Sequence, residues 1–222
     1  MFLGELDSWI QFFDITVLKE TLRHVPTIGI CPVKEDVFKA FSICNSNDCK
    51  VVFLGQDPYP QKGVATGILF GNKQSTLEEN LSPSLKVIKE AAIDFTISHN
   101  YPIEFDNTLE EWARQGILMI NSALTVEINK IGSHTQIWRH FISKFLSKYS
   151  HTRQGILYVL FGKQAQSFEP YIESKYNVVL KENHPAFYAR TGQRMPSDIF
   201  YKINEYLHNQ YNETIQWYKE EM

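Results

Sequence analysis

The stretch Val51-Val52-Phe53-Leu54-Gly55-Gln56-Asp57-Pro58-Tyr59-Pro60 constrains the fold of this chain more than any other. Four apolar residues, β-branched or aromatic for the most part, read as a short buried strand. The run stops at Gly55, which opens backbone conformations closed to other residues. Pro58 and Pro60 each fix a φ angle and lack an N–H. A stiff loop carrying a carboxylate and a phenol therefore leaves the carboxyl end of a strand, which is where open α/β sheets bind ligands.

Similar strand exits recur along the chain. Ile117 to Ile120 reads as a second buried strand ending on Asn121. Gly155 to Phe161 reads as a third, turning at Gly162-Lys163 into a helix. Val178 to Leu180 reads as a fourth, followed by Asn183-His184-Pro185. Between them lie helical stretches. Ser82 is a candidate N-cap with Pro83 at the first helical position, for a helix running to about Thr96. Thr108-Leu109-Glu110-Glu111 has the form of a capping box. A further helix spans about 137–149, and Ser197 is placed to cap a last long one. Residues 1–45 carry apolar residues at helical spacing. Strands alternating with helices imply an α/β fold: three αβα layers around a central, mostly parallel four-stranded sheet. In such a sheet the carboxyl ends share one edge. Asp57, Tyr59, Asn121, Lys163 and His184 would then surround one crevice. With no repeat or linker in view, the 222 residues are expected to form one domain, with N-terminal helices over about 1–45.

Composition narrows the function. A hydrophobic fraction of 43% and a charged fraction of 21% are ordinary for a globular chain. No apolar run reaches transmembrane length, and Glu5 and Asp7 interrupt any signal-peptide pattern. Cys31, Cys44 and Cys49 are an odd number, which fits free thiols in an intracellular protein, cytoplasmic in a bacterial or viral setting. No second Cys/His pair at zinc-site spacing accompanies Cys44 and Cys49, so no metal is expected. A net charge of −3 excludes a generic polyanion binder; any nucleic-acid contact needs a local basic surface.

Several of these segments resemble the family 1 uracil-DNA glycosylases. Gly55-Gln56-Asp57-Pro58-Tyr59 is similar to the family's water-activating motif, and Gly67 to Phe70 to the segment whose aromatic stacks on the base. Pro83-Ser84-Leu85 resembles its proline-serine loop. Trp112 to Gly116, Leu118 to Asn121, Leu124 to Val126 and Gly132-Ser133-His134 resemble a long central block. Leu160 to Gln166 is similar to the next strand–helix junction, His184-Pro185 to the opening of the DNA-intercalation loop, and Ile215-Gln216-Trp217 to the C-terminal end. The resemblance spans about 51–217 in the family's order.

It implies hydrolysis of the N-glycosidic bond of deoxyuridine in single- or double-stranded DNA, without cofactor, by a monomer open to a proteinaceous inhibitor. Asp57 would activate water and His184 would donate to uracil O2. Asn121 would read the base, Tyr59 would fill the space beside C5, Phe70 would stack, and Gln56 would help hold base and water through its backbone. Pro83, Ser84, Ser133, His134 and Lys163 would contact DNA, as would Ala186, Phe187, Tyr188 and Arg190, with Lys62 and Arg194 adding positive field. Two departures stand out. Pro60 replaces the family's usual histidine. After His184 the chain reads Ala186-Phe187-Tyr188-Ala189-Arg190 where the family has serine, proline and a wedge leucine, so Phe187 or Tyr188 is the candidate wedge. A DNA- or partner-binding module with weak catalysis, and a base-excision enzyme of broader choice, are the competing readings. The intact Asp57, Asn121 and His184 oppose the first, and Tyr59 opposes thymine in the second.

Overall fold

The computed structural model describes residues 6–94 and 96–221. Its centre is a four-stranded parallel sheet of β1 (Val51–Gly55), β2 (Ile117–Asn121), β3 (Leu157–Phe161) and β4 (Val178–Glu182), in the order β2-β1-β3-β4. The register is fixed residue against residue: Gly55 lies beside Asn121, Leu54 beside Leu160, and Phe161 beside Glu182. Every residue of β1, β2 and β3 is buried, as the near-continuous apolar runs require of a sheet covered on both faces. Edge strand β4 holds only exposed and half-buried positions. Helices flank the sheet in the expected αβα arrangement; α1 (Pro83–Ile93), α2 (Thr135–Thr152), α3 (Pro185–Thr191) and α4 (Asp198–Tyr211) matter most for the site.

The outer edge of β2 pairs with no strand among the described residues, yet it is covered. The Leu69 N–H donates to the Met119 carbonyl at 3.1 Å, so the segment around Phe70 lies along that edge without being a strand. Aromatic side chains fill much of the core. Trp9 meets Phe41, Phe145 and Tyr149 with ring centroids 5.1–5.8 Å apart, mostly edge to face. The buried indoles of Trp9, Trp112 and Trp138 donate to Cys44 O, Trp217 O and Thr125 Oγ1 at 2.7, 2.9 and 2.7 Å.

Several boundaries differ from expectation. The N-terminal region holds helices Asp7–Ile10, Ile15–His24 and Lys39–Ile43, but also a short strand, Ile30–Cys31, antiparallel to Val126–Glu127; its first five residues lie outside the described ones. The α1 helix ends at Ile93, because Asp94 turns left-handed at φ 54°. Ser82 and Ser197 occupy N-cap positions but form no side-chain cap; the Ser82 hydroxyl instead accepts from the Asn72 amide at 2.8 Å. The capping box is displaced. Leu109, at φ 59°, is the residue before helix Glu110–Arg114, and Asp106 supplies two of the acceptors. Asp106 Oδ1 takes the Thr108 N–H and Oδ2 the Glu111 N–H, both at 2.9 Å. The Thr108 hydroxyl still accepts the Glu110 N–H at 3.2 Å, so it shares the capping with a carboxylate two residues upstream, whose ionised acceptors form the stronger bonds.

Asp106→Ala should therefore lower the unfolding free energy by about 1–2 kcal/mol, read as a lower urea midpoint at unchanged slope. An unchanged midpoint would remove Asp106 from the start of this helix.

Candidate active site

The carboxyl ends of β1, β2 and β4 open on one cavity of about 560 Å3, lined by Gln56, Asp57, Tyr59, Phe70, Asn121 and His184. Of the five residues expected at converging strand ends, Asp57, Tyr59, Asn121 and His184 line this one cavity. Lys163 is the exception: it begins helix Gly162–Gln166, is exposed, and lies outside the cavity lining.

The Asp57 loop is tied down just after the strand. Ser122 N–H donates to Gly55 O and Ala123 N–H to Gln56 O, both at 3.0 Å, and Ser122 Oγ adds a bond to Gln56 O at 3.1 Å. The Gln56 carbonyl is thereby occupied, so the backbone group it can offer a ligand is its N–H. Asp57 Oδ2 accepts from the Gly132 N–H at 2.7 Å and from Gln56 Nε2 at 3.1 Å. Oδ1 has only the long contact from the Thr135 hydroxyl, 3.5 Å. One oxygen is fixed and the other is left with a single weak contact in a residue that lines the cavity. Burial raises the carboxyl above the usual Asp range, while these donors and the nearby His134 pull it back down.

His184 follows β4 and caps α3. Its Nδ1 accepts the Ala186 N–H at 3.2 Å. A backbone N–H can only donate, so Nδ1 carries the lone pair and the imidazole proton sits on Nε2. Burial, with Arg190 second, pushes the ring down to about 4, which keeps it neutral at ordinary pH. Gly162, at φ 82°, allows the approach: a Cβ there would stand 2.9 Å from His184 Cβ. The His184 ring meets Phe70 edge to face at 5.5 Å.

Asn121 is 8% exposed, and its Oδ1 has no hydrogen-bond partner among the described residues. Gly55 makes room for it, since a Cβ at that position would lie 2.8 Å from Oδ1. An unpaired buried acceptor costs about 1–3 kcal/mol, a cost that a ligand donor would remove. Tyr59 is pinned by a 2.9 Å bond from its hydroxyl to Phe70 O, and burial raises its phenol. Phe70 itself is held at φ 64°.

The outer residues divide. Pro83, Ser84, Ala186 and Arg190 line the cavity. Ser133 is exposed, its hydroxyl accepting from Glu127 N–H at 2.8 Å. His134 is 4% exposed and turned inward to the Thr125 hydroxyl, 2.9 Å away, so it braces the Gly132 turn from below. Lys62 and Arg194 are exposed and outside the cavity lining. The segment after His184 is the helix α3, not a loop. Pro185 starts it and Gly192, at φ 67°, ends it. Helical spacing puts Ala186 and Arg190 on the cavity face and takes Phe187 and Tyr188 off it. Tyr188 is 6% exposed and donates to Glu182 Oε1 at 2.6 Å, and Phe187 packs on the core. Neither projects as the expected wedge would.

An open parallel α/β sheet with a carboxylate, a neutral imidazole donor, an unpaired amide acceptor and an aromatic face in one cavity defines a site for a flat, hydrogen-bonding heterocycle. A family model described as the uracil DNA glycosylase superfamily matches residues 41–208. The uracil-DNA glycosylase of Campylobacter jejuni is 32% identical, over 95% of this chain and 93% of its own. That of Mycoplasmopsis pulmonis is 37% identical, over 85% and 82%. Among solved structures, mimivirus uracil-DNA glycosylase superposes with a TM-score of 0.74 at 21% identity, covering 97% of this chain and 91% of that one; a variant of it has been solved in complex with UGI, at a TM-score of 0.73. The chain belongs to the uracil DNA glycosylase superfamily. No helix among the described residues is long and apolar enough to cross a membrane.

A nitrogen-15 NMR titration should show His184 as the neutral Nε2–H tautomer at neutral pH, with a midpoint at about 4. A midpoint above the ordinary histidine range would overturn its assignment as a neutral donor.

Proposed function

We propose that the chain is a family 1 type uracil-DNA glycosylase that hydrolyses the N-glycosidic bond of deoxyuridine in DNA, the first step of base excision repair. The observation that carries this reading is the unpaired Asn121 Oδ1. Uracil offers N3–H to that oxygen and O4 to the amide N–H. Cytosine offers a lone pair at N3 and a donor at the 4-position, so both contacts become repulsive. Rejection by mispaired buried groups is strong.

The chemistry follows from the two titratable groups. Asp57 Oδ1 orients a water on one face of the sugar and takes its proton as the oxygen bonds to C1′. The C1′–N1 bond breaks with an oxocarbenium-like transition state, and its electron pair leaves with the uracil ring. His184 Nε2–H donates to O2 as negative charge gathers there; a donor aimed at developing charge in a dry site contributes about 3 kcal/mol. The carboxylate also favours the cationic sugar. Phe70 stacks on the ring. Tyr59, fixed to Phe70 O, holds the space beside C5 where thymine carries a methyl.

The base reaches this cavity by extrusion from a duplex or directly from a single strand. In this reading Ser84 and Ser133 contact phosphate oxygens, and Arg190 supplies local positive charge at the mouth. The same reading makes the chain an intracellular monomer, and extends to a proteinaceous inhibitor that covers the cavity, as UGI is found with the mimivirus relative.

Incubation with a labelled uracil-containing strand should yield alkali-labile abasic sites. Asp57→Asn should lower turnover about 10²–10⁴-fold while sparing binding. Asn121→Asp should admit cytosine, because a protonated carboxyl can donate to N3 and accept from the amino group. Absence of abasic sites with the unmodified chain would sink the glycosylase reading; an Asn121→Asp variant still blind to cytosine would sink the account of base choice alone.

A further inference from the structure

Phe70 presents the aromatic face of the cavity from an unusual backbone. Its φ of 64° lies in the left-handed region, which a bulky residue keeps only where its surroundings over-determine it. Its neighbours are fixed locally. The Leu69 N–H is spent on Met119 O, and the Gly71 N–H donates to Ile68 O at 3.2 Å. The bond to Phe70 itself comes from outside the segment: the Tyr59 hydroxyl donates to its carbonyl at 2.9 Å. That donor has little freedom of its own. Tyr59 stands between Pro58 and Pro60, each with a fixed φ, and a residue before proline is confined to extended backbone. The phenol oxygen also faces the start of α1, where the Ser82 and Ser84 hydroxyls and the Leu85 N–H stand close to it. Burial raises the phenol above its ordinary value, so it remains a donor at any ordinary pH. Around the Phe70 ring, Phe161 and His184 pack edge to face with centroids 5.3 and 5.5 Å away, so a turn of the Phe70 backbone would carry the ring off both.

We propose that the Tyr59 hydroxyl is a positioning group for Phe70: it holds that residue in its left-handed turn and so sets the plane on which the base stacks. Tyr59 then has two separable functions. Its ring fills the space beside C5 and decides which pyrimidine enters. Its hydroxyl works through the Phe70 carbonyl and decides how firmly the base is held once inside. Without the hydroxyl, a carbonyl of a residue only 4% exposed loses its donor, and the turn loses the bond that ties it to the Asp57 loop. The inference rests on the proposed glycosylase function and deepens it, since it concerns how that site grips its base.

The test is Tyr59→Phe, which keeps the ring and removes only the hydroxyl, measured alone and combined with Phe70→Leu. Titration calorimetry with free uracil and steady-state kinetics on a uracil-containing single strand are the readouts. Loss of this one hydrogen bond should weaken uracil binding about three- to tenfold. KM should rise by a similar factor with a smaller change in kcat, because stacking holds substrate and transition state alike. In the Phe70→Leu background the same change should have little further effect, and strands carrying thymine should still be refused, since the ring remains. Unchanged uracil affinity and KM in Tyr59→Phe, or an equal loss in both backgrounds, overturns the assignment. Excision of thymine by Tyr59→Phe also overturns it, by moving the hydroxyl's part to the choice of base. Absence of abasic sites with the unmodified chain would instead sink the glycosylase reading, so the two failures are distinguishable.

Discussion

The parallel register of β1 against β2 is the constraint on which the site depends. Pairing Gly55 with Asn121 sets the carboxamide over the one position in β1 that has no side chain. A slip of one residue would turn Asn121 to the other face of the sheet and oppose it to a bulkier neighbour. The same register lets Ser122 and Ala123 hold the backbone just before Asp57. On the other side of β1, the β3–β4 pairing brings His184 over Gly162. Asn121 and His184 are each admitted by a glycine on a neighbouring strand exit, and the backbone around them is held by hydrogen bonds of the fold itself.

That preorganisation carries a stability cost, whose sign can be worked out for each group. His184 is depressed in the folded chain. As pH falls below the ordinary histidine value, the unfolded chain binds a proton that the folded chain refuses until about 4, so the native state loses ground over that interval. Asp57 is raised. Its contribution favours the folded chain while it is protonated and is lost as pH rises through its folded value, so the ionised carboxyl is a net cost near neutrality. The unpaired Asn121 oxygen adds a third cost. A large aromatic core offsets these terms, a balance expected where activity needs groups held against their own solvation.

Much of the architecture was legible in the sequence because parallel strands buried on both faces must be apolar throughout. Val51–Leu54 and Ile117–Ile120 announce themselves that way, and both runs end at polar groups that the fold puts together. Contacts made by backbone groups at long range left no such mark. Nothing in the chain pairs Gly132 with Asp57, 75 positions away, or Leu69 with Met119. The helix after His184 did have signals: Pro185 at its first position, Ala186 and Ala189 within it, and Gly192 beyond it. The family resemblance, which implies a loop there, outweighed them. The helix therefore packs Tyr188 against Glu182, because a side chain four residues past a histidine points differently from a helix than from an extended loop.

The helix also changes the electrostatics of the mouth. In a chain of net charge −3, affinity for a polyanion must come from cations held close to the site. Helical spacing brings Arg190 over Ala186, with its Nε donating to Ala186 O at 3.2 Å. Arg190 there faces the cavity that His184 enters from below. One guanidinium then has two effects of the same origin. Outward, it leaves a positive charge at the lining of the cavity mouth. Inward, it opposes protonation of the imidazole and so helps preserve the Nε2–H donor in its neutral form. A flexible loop would scatter that charge over many positions; two turns of helix, pinned through Tyr188 to Glu182, keep it at the cavity mouth and close enough to bear on His184.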